Sequence, residues 1–297
     1  MENRYFTESM LQTIARPQDW ALVSSWCPPD LPALDDPRHA CWMAEHSHTH
    51  AHREFLLTLD GGGGQQGYSD GVYTRRPGSI FFFDAFEAHD YFAPEWTPDE
   101  DQLWISLLPE HIVIWTYTIR NGAFDGHGGW RRVFTPEELG LREDALLLFK
   151  PGAKTTPPTL HRLHLSSFLG LILGAVAHAG YLDERQEETE GLQRRIVSAI
   201  RQHIEATAGN GVTLDSLAQL TGYSKFHFLR LFKQYTGLSI HAYIDQCRFQ
   251  RVSEMQLAGH SQKEIAFALG FSCPAAFAHW LRRYWQKLPA NITTGNR

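Results

Sequence analysis

Residues 217–224 read LAQLTGYS and residues 265–272 read IAFALGFS, 48 positions further on. In each, apolar residues at helical spacing lead to a glycine and then a serine. Gly222 and Gly270 suit the left-handed turn that ends a helix, and Ser224 and Ser272 suit the cap of the next one. A short helix, a tight turn and a second helix form a helix-turn-helix, whose second helix enters the major groove of DNA. One such match is weak, because any helical hairpin resembles it. Two in one segment are much stronger. Between them, residues 239–257 read as a single helix, and about eighteen residues at 1.5 Å span ~27 Å. That is near the ~34 Å of one DNA turn, so one chain can present two reading helices to successive grooves.

Charge agrees with this placement. Residues 192–297 hold 13 Lys and Arg against five Asp and Glu, a formal +8; residues 1–191 hold 14 against 28, a formal −14. Only the C-terminal part is suited to a polyanion. In the first reading helix, residues 224–235, Phe228, Leu231 and Phe232 are expected in the core. Lys225, Phe226, Leu229 and Arg230 are expected outside. Lys225 and Lys233 suit phosphates, which position rather than specify. The second reading helix, residues 273–285, turns Ala275, Ala276, Ala278 and His279 outward, with Arg282 and Arg283 near phosphates. Alanines offer only methyl contacts, so the first helix is expected to carry most base specificity.

These residues also carry a family resemblance. Gly222-Tyr223-Ser224, Leu231-Phe232-Lys233, Thr236-Gly237-Leu238-Ser239, Tyr243 and Arg248 form its first half. Ile265-Ala266, Leu269-Gly270-Phe271-Ser272, Phe277 and Pro289 form its second. Together they resemble the DNA-binding domain of the AraC family of bacterial transcription regulators. Leu281 and Gln286 depart from the family's usual Phe and Gly. The resemblance implies base reading by Phe226, Leu229 and Arg230. An arginine there can fork onto guanine O6 and N7, worth ~1–3 kcal/mol of discrimination. Activation of promoters, rather than repression, is implied by the same resemblance.

The other dense signal is residues 46–54, HSHTHAHRE. In a strand, alternate residues share a face. His46, His48, His50, His52 and Glu54 would then converge, with Trp42 on the same side. Imidazoles and a carboxylate suit first-row divalent ions. His48, His50, Glu54 and Gly61, then Pro77-Gly78 and His89, resemble the two cupin motifs. The resemblance implies a small double-stranded β-barrel with metal ligands at His48, His50, Glu54 and His89. His46 and His52 are expected at the rim. Trp42, His46, His48, His50, Glu54 and His89 form the expected effector pocket, by resemblance for a sugar or related metabolite. The divalent metal would be Zn, Ni or Fe. Four readings of this site stand open: a small-molecule pocket without metal, a metal sensor, a metal-dependent cupin enzyme fused to the DNA-binding part, and an apo cupin fold that serves only to dimerise.

The rest of the chain sets the organisation. Residues 40–120 alternate short apolar runs with turn clusters, as in a sandwich or barrel. Residues 137–149 and 160–181 read as helices, the second with an apolar stripe that suits either its own core or a homodimer seam. The acidic run 183–191, DERQEETEG, reads as a linker. The expected fold is therefore α+β in two domains. Residues 1–182 form a cupin barrel with packed helices, and residues 192–297 form an all-α double helix-turn-helix. Cys27, Cys41, Cys247 and Cys273 make no CxxC pair, so neither zinc ribbon nor disulfide framework is indicated. Gly61–Gly64 lacks the Lys-Ser/Thr of a phosphate loop, and no nucleophile elbow is present. A non-enzymatic cytoplasmic regulator is expected, with double-stranded DNA, a small effector and a second copy as partners, and no membrane.

Overall fold

The computed structural model describes residues 6–92, 98–125, 130–141, 157–182 and 189–287. Two sheets build the N-terminal part. The larger contains β1 (Ala21–Ser24), β2 (Arg53–Gly61), β5 (Ser79–Phe83), β7 (Glu100–Leu107), β8 (Ile112–Arg120), β9 (Ala123–Asp125) and β10 (Arg131–Phe134). Its order is β1-β5-β2-β7-β8-β10, with β9 paired to β8. The smaller contains β3 (Gln65–Tyr68), β4 (Gly71–Thr74) and β6 (Asp90–Phe92), in the order β4-β3-β6.

Period-two alternation gives the large sheet two buried faces. Phe81 and Phe83 on β5 look toward the small sheet, where Phe83 stacks on Tyr68 at 5.4 Å and Phe81 meets Tyr73 at 6.3 Å. Ile80 and Phe82 point the other way, into a core shared with α1 (Glu8–Ile14) and α3 (Pro158–Leu182). Both faces are covered, so β5 reads SIFFF without a polar alternation.

The expected cupin double-stranded barrel is not seen closed among the described residues. The described strands form two sheets packed face to face, and no ladder joins them into a barrel. The apolar faces are buried by aromatic packing and by α1 and α3, so edge closure is not what covers them. The α3 stripe of Leu165, Phe168, Leu169, Ile172, Leu173 and Val176 is buried in that core. This helix is long and apolar enough to cross a membrane by composition, yet its apolar stripe packs on the sheet.

The C-terminal part is helical: α4 (Thr189–Thr207), α5 (Leu214–Thr221), α6 (Lys225–Thr236), α7 (Ile240–Leu257), α8 (Gln262–Ala268) and α9 (Pro274–Lys287). Residues 189–191, expected in the linker, are the first turn of α4; residues 183–188 lie outside the described residues, as do Trp96, Pro289 and residues 142–149 of the expected helix. Its described portion, residues 137–141, does not form a helix.

Candidate functional site

The histidine row does not lie in one strand. His46 is the last residue of α2 (His39–His46), and β2 begins only at Arg53. Alternate-face counting therefore fails for Trp42 and His46, which stack on one another at 3.9 Å on α2. His48, His50 and His52 converge instead through a bent segment. Backbone bonds stitch that segment to the loop before β6. His48 and His89 exchange N–H···O bonds at 3.1 and 3.2 Å, and Phe86 N–H donates to the His50 carbonyl at 2.7 Å.

This brings three imidazoles together. One ring nitrogen from each of His48, His50 and His89 lies within 4.8 Å of the others. The Nδ1–H of His50 donates to the His52 carbonyl, and that of His89 to the Glu87 carbonyl, each at 2.8 Å. Those bonds fix the tautomer and leave Nε2 facing inward, the arrangement that metal-ligating histidines use. The Nε2 atoms of His48, His50 and His89 are buried without a hydrogen-bond partner, as is Glu54 Oε2. Glu54 Oε2 sits 3.1 Å from His50 Nε2, off hydrogen-bond geometry. Glu54 Oε1 is occupied: it accepts from His52 Nε2 at 2.7 Å and from Ser106 Oγ at 2.8 Å. Buried polar atoms are normally satisfied, so the unpartnered nitrogens of His48, His50 and His89, grouped within 4.8 Å, fit a cation, with Glu54 beside them through its ion pair to His50.

The electrostatics favour the neutral form at His48, His52 and His89 and the charged form at His50. Burial pushes His48 below its ordinary value, and the charge on His50 adds to this. Burial drives His89 well below its ordinary range, again with help from His50. His52 is pushed down to about 4 by burial and by His50. His50 differs: burial pulls it down, but the Glu54 carboxylate beside it outweighs that and holds it up. Glu54 is lifted by burial, yet His50 and His52 hold it well below the usual carboxylate range. Neutral His48 and His89 and an ionised Glu54 are in the forms that ligate metals, whereas a cation at His50 would displace the proton that Glu54 favours there.

The cupin resemblance singled out His48, His50, Glu54 and His89; the structure groups His48, His50 and His89 and puts Glu54 in a second triad with His50 and His52. The sequence reading placed His52 at the rim, whereas His52 is buried against Glu54. It missed Ser106 and His203. The α4 residue His203 is buried, with its ring 5.3 Å from that of His52. No local pattern marks either, because both arrive through tertiary packing.

The DNA-reading half follows its local signals. Thr213 and Ser216 form a capping box at the start of α5, and Gly222 ends it at φ 60°. Ser224 caps α6 by accepting from the His227 N–H, and Ser239 caps α7 by accepting from the Ala242 N–H. Gly270 has φ 77°. The second reading helix differs in one detail: α9 starts with Pro274 at its first position, so Ser272 lies one residue too early to be its cap. Phe228, Leu231 and Phe232 are buried, as is Phe277. Phe226 is 81% exposed. Arg230, Lys225, Lys233, Ala275, His279 and Arg282 are also exposed, while Leu229 and Ala276 are half-buried. Lys225 pairs with Asp215.

Comparison with known proteins matches this half. A family model described as a helix-turn-helix domain matches residues 217–294. The probable transcription factor PqrA of Proteus vulgaris is 31% identical over 83 residues, 28% of this chain and 68% of that protein. The HTH-type transcriptional activator AarP of Providencia stuartii is 31% identical over 93 residues, 31% of this chain and 69% of that protein. Among solved structures, unsaturated fatty acid bound wild-type ToxT from Vibrio cholerae strain SCE256 aligns with 80% of this chain and 85% of its own. Its identity is 10% and the TM-score 0.24, too low to bear on the fold or the ligand. With two helix-turn-helix units and these relatives, the chain belongs to the AraC family of transcription regulators.

Proposed function

We propose that this protein is a cytoplasmic, promoter-binding regulator whose N-terminal domain responds to a divalent cation held by His48, His50, Glu54 and His89. One observation carries the reading: ring nitrogens of His48, His50 and His89 lie within 4.8 Å of one another, their Nε2 atoms are buried without hydrogen-bond partners, and Glu54 stands beside His50. Zn, Ni or Fe suits three imidazoles and a carboxylate. The four residues belong to the two cupin-like motifs of the sequence, and the sheet domain holds them without a closed barrel. The cation is the effector, or the anchor on which a small effector such as a sugar or related metabolite seats. The metal-sensing form is favoured because the donor set is built, whereas the sugar rests on resemblance alone. DNA is read by α6 through Phe226, Leu229 and Arg230, and more weakly by α9 through Ala275, Ala276 and His279, with Lys225, Lys233 and Arg282 on phosphates. A homodimer through the exposed side of α3 and an activating role complete the reading; AarP, one relative, is an activator by name.

The test is elemental analysis of tag-free protein beside a His48→Ala/His50→Ala variant, with promoter binding measured on both. Near-stoichiometric metal in the parent, lost in a variant that still folds, is the expected result. Folded, DNA-binding parent protein that retains no metal after loading with Zn, Ni or Fe overturns the metal reading and leaves the DNA-binding one intact.

A further inference from the structure

The loops that carry the candidate ligands are also the surface on which the DNA-binding half rests. Ala51 lies between His50 and His52, and Phe86 lies three residues before His89. Both cover Gly211, in the turn between α4 and α5. A Cβ on Gly211 would come within 2.5 Å of Phe86 Cε1 and 3.1 Å of Ala51 Cβ. Phe86 itself holds φ 63°, unusual for a bulky side chain. It keeps that conformation while its N–H is bonded to the His50 carbonyl at 2.7 Å. His203 of α4 abuts His52 at the same junction.

A second contact closes the other side. The Arg131 guanidinium on β10 donates to the Gly222 carbonyl at 2.7 Å and lies 4.3 Å from the Tyr223 ring centre. A Cβ on Gly222 would collide with Arg131 Nη2 and meet Trp115 Cε3 at 3.3 Å. Between these contacts one continuous apolar core runs through both halves, from Phe81, Trp104 and Trp115 to Ile200, Leu217, Leu220 and Phe228. The first helix-turn-helix is therefore seated on the sheet domain with its reading face outward, since Phe226 is 81% exposed and Arg230 is exposed.

We infer that cation binding at the histidine cluster and seating of the first helix-turn-helix are one linked equilibrium. This rests on the metal reading above. A cation held by His48, His50 and His89 fixes the 48–54 segment and the 84–89 loop relative to each other. That fixes Ala51 and Phe86, the ridge that receives Gly211. Seating holds α6 on the sheet domain with its reading face outward, and in that arrangement the cation favours promoter binding. Linkage is reciprocal: whatever unseats the DNA-binding half weakens the cluster's affinity for the cation.

Arg131→Ala tests this at a residue that is neither a candidate ligand nor a base reader. Zinc affinity by competition titration and radius of gyration by small-angle scattering are measured on the full-length parent and variant. The variant is expected to be more extended and to bind zinc at least ~5-fold more weakly, the lower end of ordinary coupling. Zinc is expected to tighten promoter binding of the parent by a similar factor. Gly211→Ala, which acts on the opposite contact, serves if Arg131→Ala fails to fold. An unseated variant with parental zinc affinity overturns the inference, as does a folded variant that stays compact. A parent that binds no zinc is a different failure: it removes the metal reading itself.

Discussion

Glu54 on β2 and Ser106 on β7 are directly paired across the ladder, and the Ser106 hydroxyl donates to Glu54 Oε1 at 2.8 Å. With His52 on the same oxygen, the carboxylate is turned so that Oε2 faces His50. Such outer partners of a ligand are worth 10–100-fold in metal affinity as an order of magnitude. Ser106→Ala is expected to weaken zinc binding by roughly 10-fold, and Glu54→Gln by more. Competition titration with a chelating dye reads both. Equal affinity in Ser106→Ala and parent would show that the hydroxyl does not orient the carboxylate.

Arg230 and Lys233 are both exposed on α6, and the proposed reading gives the first a base and the second a phosphate. Arg230→Ala is expected to lose ~1–3 kcal/mol of discrimination at one base pair. Lys233→Ala is expected to weaken binding on every sequence and to lower the salt slope by about one. Anisotropy titrations on single-base operator variants, repeated across salt, separate the two patterns. Uniform weakening by Arg230→Ala would remove it from the base readers.

The two reading helices are unequal. The outer face of α9 offers Ala275 and Ala276, which reach only methyl groups, beside exposed His279. Substitutions in the half-site under α6 are therefore expected to cost more than those under α9. A systematic operator scan reads the ratio, and equal costs would contradict the assignment.

Acid stability reports on Asp84. Its carboxylate accepts from Arg53 Nε at 2.7 Å and from Trp26 Nε1 at 2.9 Å. Burial lifts its pKa, but the bonds from Arg53 and Trp26 outweigh burial and hold it below its ordinary value. A carboxylate lowered in the folded state adds stability above its unfolded pKa, and loses it as pH falls through the folded value. Asp84→Asn is expected to flatten that acid limb. At neutral pH it removes the carboxylate from a buried guanidinium, costing ~3 kcal/mol. Urea titrations from pH 7 to pH 3 check both statements.

The outer side of α3 exposes Leu163 and Leu171, with open space at Gly170 and Gly174. If this is the dimer face, Leu163→Glu/Leu171→Glu gives a folded monomer by sedimentation. Unchanged mass in a folded variant would place any dimer elsewhere.

The DNA-binding half was legible because its signals are local. A glycine at positive φ, a serine side chain on the third N–H and apolar residues at three and four are all set within one turn of chain. That is why α6, α7 and α9 each start within one residue of where the spacing put them and Ser224 caps α6 as expected, whereas Ser272 does not cap α9 because Pro274 takes the first helical position.

The histidine site was legible only as a list of residue types. His46 and Trp42 have the right numbering and the wrong secondary structure, since 39–46 coil into a helix before the strand begins. Nothing near Ser106 or His203 in the sequence marks them as neighbours of Glu54 and His52. The sequence by itself determined that this chain carries two helix-turn-helix units on a basic C-terminal part and a set of metal-type residues on an acidic N-terminal part. Only the tertiary structure decided that the strands pair into two open sheets, that the histidines point their free nitrogens inward, and that Arg131 meets Gly222 across 91 residues. The reason is physical: caps and periodicity act over a few residues, whereas strand pairing, burial of polar atoms and the seating of one half on the other depend on which distant surfaces exclude water together.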